Sequence, residues 1–113
     1  MKISVVIPAY NEIHTIQEIL RRVQDTGIPD EIIVVDDGSI DGTRELLEGL
    51  NGKGPVRVIL HERNRGKGAA VVTGIQNAEG DVLIIQDADL EYDPRDFPAL
   101  LQPIEEGVAD VVY

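Results

Sequence analysis

The chain has 113 residues, 42% of them hydrophobic, and a net charge of -11, which suits one compact domain with its own core and excludes a chain disordered by composition. The acidic balance argues against nucleic acid and against a polybasic membrane anchor, since both call for a cationic surface. No apolar run approaches the roughly 20 residues of a membrane span, no secretory leader is visible, and the absence of cysteine excludes a disulfide scaffold and fits a reducing, cytoplasmic setting.

Ile3 to Ile7 is a short β-branched run, which predicts a strand buried on both faces. Pro8-Ala9-Tyr10-Asn11 breaks it. Asn11 reads as the N-cap of a helix carrying Ile13, Ile16, Ile19, Leu20 and Val23 at helical spacing. Gly27 and Pro29 end that helix, and Ile32 to Val35 is the second strand. Asp36-Asp37-Gly38-Ser39 is a turn, after which Ser39 or Asp41 can cap a short helix with Leu46, Leu47 and Leu50. Asn51 to Pro55 is punctuation, and Val56 to Leu60 is the third strand. Ala69, Ala70, Val72, Ile75 and Ala78 predict a closely packed helix that ends at Gly80. Val82 to Ile85 is the fourth strand. Asp93-Pro94 marks another helix start, with Phe97, Leu100, Leu101, Ile104 and Val108 behind it, and Val108 to Tyr113 predicts a fifth strand.

This alternation predicts an α/β domain with a mostly parallel sheet and helices on both faces. Such sheets bind ligands beyond the carboxyl ends of their strands, near a topological switch point. The chemically capable residues obey that rule. Tyr10, Asn11 and Glu12 follow the first strand, Asp36 and Asp37 the second, and Arg63, Asn64, Arg65 and Lys67 the third. Asp87, Asp89 and Glu91 follow the fourth. The loops at the other edge hold mainly turn residues.

Each of these four groups has a functional and a structural reading. Asp87 and Asp89, at i and i+2 on an extended segment, point to one side and can share a hard cation with Glu91. The alternative is a polar turn before a helix capped by Asp93. Asp36 or Asp37 can accept hydrogen bonds from a base or ribose, as an acidic residue after strand two does in dinucleotide-binding sheets, or the pair can be ordinary turn chemistry. Tyr10 can stack on a base and Glu12 can accept from a ribose hydroxyl. Equally, this stretch can be a strand exit with a first-turn glutamate. Arg63, Arg65 and Lys67 concentrate three cations within five positions of an acidic chain, which points to an anion site at the next helix start or to a solvated basic loop. There is neither a P-loop nor a G-x-G-x-x-G after the first strand. His14 reads as an exposed helix residue, and His61, at the end of the third strand, can lie near the site but is assigned no role.

Taken in order, V-V-I-P-A-Y-N-E, I-I-V-V-D-D-G-S-I-D-G-T, N-R-G-K-G-A-A and I-I-Q-D-A-D-L-E-Y-D-P resemble the nucleotide-binding half of family 2 glycosyltransferases of the GT-A fold, and most closely the polyprenyl-phosphate branch typified by dolichol-phosphate mannose synthases. The resemblance covers Ile3 to Tyr113. It implies a Rossmann-like nucleotide-sugar-binding domain over residues 1–113, with Pro8, Tyr10, Glu12 and Asp37 (or Asp36) in the nucleoside pocket and Lys67 in a loop closing on the nucleotide. Asp87 and Asp89, with Glu91, would hold Mg²⁺ or Mn²⁺, and Asp87 would also touch the nucleotide. It further implies a GDP- or UDP-linked donor and inverting transfer to a polyprenyl phosphate or other acceptor, at the cytoplasmic face of a membrane.

Family members continue beyond this point with acceptor-side elements, so the catalytic residues are expected downstream of Tyr113, and truncation before an acceptor half is the expectation because the chain stops inside an apolar strand. Apolar surface left there would favour a homo-oligomer. Three rival readings stand beside this one: a phospho-accepting signalling domain of doubly wound type, a non-catalytic nucleotide-binding or assembly module, and a nucleotidyltransferase.

Overall fold

The computed structural model of the chain describes residues 1–88 and the backbone of Val111 and Val112. Strands and helices alternate as β1 (Ile3–Ala9), α1 (Ile16–Asp25), β2 (Glu31–Asp36), α2 (Thr43–Leu50), β3 (Val56–Leu60), α3 (Lys67–Asn77), β4 (Val82–Ile85) and β5 (Val111–Val112). The strands form one sheet in the order β3-β2-β1-β4-β5, and every ladder is parallel. The chain therefore winds outward from β1 through β2 to β3, then crosses back to add β4. The switch point lies between β1 and β4, as in dinucleotide-binding sheets, whereas phospho-accepting domains run 2-1-3-4-5. Strand order removes that rival reading.

All seven residues of β1 and all six of β2 are buried, as continuous β-branched runs require when both faces are covered. The register Val5↔Ile32, Val6↔Ile33, Ile7↔Val34 assigns alternate residues to opposite faces. Val5, Ile7, Ala9, Ile32 and Val34 pack with Ile16, Ile19, Leu20 and Val23 of α1 and with Leu47 of α2. Ile33 and Val35 pack on the other face against Ala70 of α3. There, a Cβ on Gly74 would lie 2.2 Å from Cγ1 of Val6, so α3 sits against the sheet at a distance only glycine allows. Val72, expected in that interface, is exposed. The contact is made by the smallest side chains of the helix, Ala70 and Gly74.

Helix α1 starts later than predicted. Asn11 does not cap it: Thr15 precedes the first helical residue, and Asn11 is left-handed at φ 51°. Its side chain reaches across to the next loop instead, where Oδ1 accepts the Ile40 N–H at 2.9 Å. His14 is exposed as expected, in a turn rather than the helix. The predicted fifth strand is present at Val111–Val112, paired with Leu83 and Ile84. The helix predicted behind Asp93-Pro94 lies outside the described residues. No helix among the described residues is long and apolar enough to cross a membrane.

At the amino edge, Glu31 is a buried tie. Its Oε1 accepts from the Ser4 hydroxyl and from the Glu79 N–H, each at 2.6 Å, and its Oε2 lies 3.4 Å from Arg57. Burial opposes the charge, but the Glu79 N–H, the Ser4 hydroxyl, Lys2 and Arg57 outweigh it, and the carboxyl sits below its ordinary 4.5. A depressed carboxyl stabilises the fold above its unfolded value and loses that contribution as pH falls through the folded one. Glu31→Gln is expected to destabilise the fold in urea at neutral pH, with the gap to the parent closing as pH falls below 4.5. Gly74→Ala is expected to cost about 1–3 kcal/mol in the same measurement, through overpacking against Val6.

Candidate functional site at the carboxyl edge of the sheet

A cavity of about 270 Å³ opens at the carboxyl ends of the strands, on the switch point. Its walls come from four successive strand exits. β1 supplies Pro8, Tyr10 and Glu12, β2 supplies Asp37, the β3–α3 connection supplies Asn64 and Lys67, and β4 supplies Asp87. A larger hollow of about 430 Å³ lies elsewhere, between α1 and the start of β3, lined by residues such as Gln17, Leu20 and Val56. It gathers none of the residues singled out from the sequence.

The adjacent acids at the exit of β2, Asp36 as its last residue and Asp37 directly after it, part company here, because successive residues of extended backbone face opposite sides. Asp36 is fully buried and does not line the cavity. Its Oδ2 accepts the N–H groups of Gly38 and Ser39 at 3.2 and 3.1 Å, shaping the turn, while its Oδ1 has no hydrogen-bond partner. Asp37 turns toward α3 and forms part of the wall. Oδ1 of Asp37 accepts from Nδ1 of His61 and from the Arg65 N–H, and Oδ2 accepts from the Gly66 N–H, all at 2.9 Å. One carboxylate thus holds the loop that precedes α3. Gly38 makes that approach possible: at φ 78°, a Cβ would sit 2.5 Å from the Asn64 backbone nitrogen.

The first two loops are joined by a second set of bonds. Ser39, Thr43 and Asp41 accept, in turn, the backbone N–H groups of Asn11, Glu12 and Ile13 at 2.9, 3.0 and 3.2 Å. Gly42, not the predicted Ser39 or Asp41, occupies the N-cap of α2, with no side-chain cap bond; Asp41, one position before it, also accepts the Thr43 N–H at 3.0 Å. Burial acts against its charge, but the Thr43 hydroxyl and the N–H groups of Thr43 and Ile13 outweigh it and hold the carboxyl below its usual range. Glu12 thereby reaches the cavity from a fixed backbone. The Thr15 hydroxyl, 2.9 Å from Glu12 Oε2 and 2.7 Å from the Ala88 carbonyl, ties this loop to the segment after β4.

Lys67 forms an ion pair with Asp87 Oδ1 across the mouth. Among the described residues, the lining therefore sets three carboxylates, of Glu12, Asp37 and Asp87, against one ammonium. Arg63 and Arg65 are exposed on the adjoining loop. Of the three expected metal ligands, Asp87 is in the wall, while Asp89 and Glu91 lie outside the described residues. Among the described residues, no three His, Asp or Glu side chains gather as a metal site.

The structure thus brings Pro8, Tyr10, Glu12, Asp37, Lys67 and Asp87 to one cavity and leaves Asp36 beneath it. Sequence reasoning placed His61 near the site without a role, and the structure buries it beside Asp37; it missed Thr73, whose hydroxyl lies 2.9 Å from His61 Nε2. The signal for His61 was its place directly after a strand. Thr73 carried none, because a threonine inside a helix has many uses.

The sequence profile of the family described as "Glycosyl transferase family 2" matches residues 4–113. The chain is 41% identical over 109 residues to the dolichol-phosphate mannosyltransferase of Pyrococcus furiosus, covering 95% of this chain and 31% of that protein. It superposes on Staphylococcus aureus TarS 1-349 in complex with UDP with a TM-score of 0.77 at 30% identity, over 94% of this chain and 32% of that one. On mannosyltransferase PcManGT from Pyrobaculum calidifontis, in complex with GDP-Man and Mn²⁺, the TM-score is 0.74 at 30% identity, over 87% of this chain and 30% of that one. The chain spans about a third of the length of these proteins. Gly38→Ala is expected to cost about 2 kcal/mol or more in thermal or urea unfolding, through the left-handed backbone and the contact with Asn64.

Proposed function

The chain belongs to glycosyl transferase family 2, and from that membership and the cavity at its switch point we propose that it is the nucleotide-sugar-binding part of a metal-dependent transferase acting on a polyprenyl phosphate. The observation that carries this reading is the convergence of Tyr10, Glu12, Asp37, Asn64, Lys67 and Asp87, from four separate strand exits, on one cavity. The ring of Tyr10, 43% exposed, offers a face for a base. Glu12 and Asp37 accept from ribose hydroxyls or a base N–H. The diphosphate lies toward Asp87 and Lys67.

Electrostatics supports the need for a cation. A nucleoside diphosphate brought against three carboxylates and one ammonium meets net repulsion. Asp87, with Asp89 and Glu91 after it in sequence, would hold a divalent ion, which when bound would offset that charge and the charge of the departing diphosphate. Oxygen donors suit Mg²⁺ or Mn²⁺, and the Pyrobaculum neighbour was solved with Mn²⁺. UDP in one neighbour and GDP-Man in another support a nucleotide-sugar donor. The dolichol-phosphate relative supports a lipid phosphate as acceptor. In that reaction a phosphate oxygen of the lipid bonds to the anomeric carbon as the bond from that carbon to the diphosphate breaks, and the nucleoside diphosphate leaves with the electron pair. The acceptor is already an anion, so no strong general base is needed from these residues.

Calorimetry with UDP and with GDP, each with and without Mn²⁺, tests the reading. The expected result is binding of at least one of them that Mn²⁺ strengthens about tenfold or more. Asp89→Ala is expected to remove that dependence while the fold persists. Failure of both nucleotides to bind in the presence of Mn²⁺ would refute the proposal.

A further inference from the structure

We infer that His61 is a positioning residue for the nucleoside pocket, holding the Asp37 carboxylate in the orientation in which it accepts from a ligand. The inference rests on the nucleotide-binding reading and deepens it. His61 is buried, does not itself line the cavity, and is bonded to Asp37, which does. Its ring is held at both nitrogens, 2.9 Å from Asp37 Oδ1 and 2.9 Å from the Thr73 hydroxyl. Its backbone is held as well: the His61 N–H donates to the Asp36 carbonyl at 2.8 Å, and its carbonyl accepts from Arg44 at 2.6 Å. The ring is therefore a fixed spacer between the exit of β2 and helix α3.

The chemistry of the partners sets the tautomer. An ionised carboxylate only accepts, so Nδ1 carries the proton, and in the neutral imidazole Nε2 accepts from the Thr73 hydroxyl. Asp37 has about four acceptor positions. Nδ1 of His61 and the Arg65 N–H take two on Oδ1, and the Gly66 N–H takes one on Oδ2. The position left on Oδ2 belongs to a residue of the cavity wall. It suits a ligand donor, a ribose hydroxyl or a base N–H. Without the imidazole, Oδ1 keeps one backbone donor, and the carboxylate is free to turn away from the geometry a ligand needs.

His61→Leu keeps an apolar side chain of moderate volume and removes the donor. His61→Asn returns an amide N–H near the place of Nδ1. Two readouts separate positioning from packing. The first is affinity for UDP or GDP with Mn²⁺: the leucine variant is expected to bind about tenfold more weakly and the asparagine variant within about threefold of the parent. The second is amide hydrogen exchange at Arg65 and Gly66 without ligand, expected to quicken in the leucine variant and to stay near the parent rate in the asparagine variant. Parental affinity in a folded leucine variant, or equal losses in both, overturns the inference. Should the leucine variant not fold, Thr73→Val takes its place, with about a threefold loss of affinity expected and faster exchange at the two amides. Unchanged values there overturn the inference. A parent chain that binds neither nucleotide counts against the nucleotide reading, while the exchange contrast still judges the role of His61.

Discussion

The Asp37 carboxylate ties the exit of β2 to that of β3 with three hydrogen bonds. Asp37 directly follows β2, its imidazole partner directly follows β3, and the two backbone N–H groups it accepts lead into α3. Its backbone N–H also donates to the Ala9 carbonyl at 2.8 Å, at the end of β1. Hydrogen bonds to an ionised acceptor are stronger than neutral ones, and leaving such a group buried and unpaired is costly. The loops after β2 and β3 depend on this one side chain for their mutual placement.

Around it, side chains replace the backbone pairing that loops cannot make among themselves. Ser39, Asp41 and Thr43 each accept an N–H from the loop after β1, and Asn11 returns one bond to Ile40. The polar residues of D-G-S-I-D-G-T are therefore mostly joinery, and few of them meet the cavity. Polar content at the ligand edge and contact with a ligand are separate properties. Asp36 and Asp37, neighbours in sequence, illustrate the difference: one shapes a turn under the cavity and the other lines it.

Much of the fold was legible because strand periodicity and burial agree. The predicted spans of β3 and β4 match the observed ones, and β2 extends by one residue at each end. Alternation of strands and helices implied parallel pairing, and all ladders are parallel. The start of α1 was misread because Asn11 suits an N-cap by type, while its actual partner lies 29 positions away. Local propensity carries no information about such a partner. Val72 failed for a related reason: helix α3 lies too near the sheet for a branched side chain at the contact, and close approach by Gly74 is a tertiary fact. Six cavity residues could be named beforehand because strand ends deliver side chains to one edge. The role of His61 escaped because a place directly after a strand locates a histidine near the site without naming its partners.

The strand order also has a kinetic side. The β1–β2 ladder and the β2–β3 ladder join neighbours in sequence, whereas β1 meets β4 only after the chain has closed a long loop. Lys2 and Asp81, bonded at the start of that ladder, are 79 residues apart. Loop-closure entropy delays such contacts relative to local ones. By that entropy alone, the wall formed by Asp87 and Ala88 is expected to join the walls from β1 and β2 late in folding, so the pocket is completed only when β4 docks.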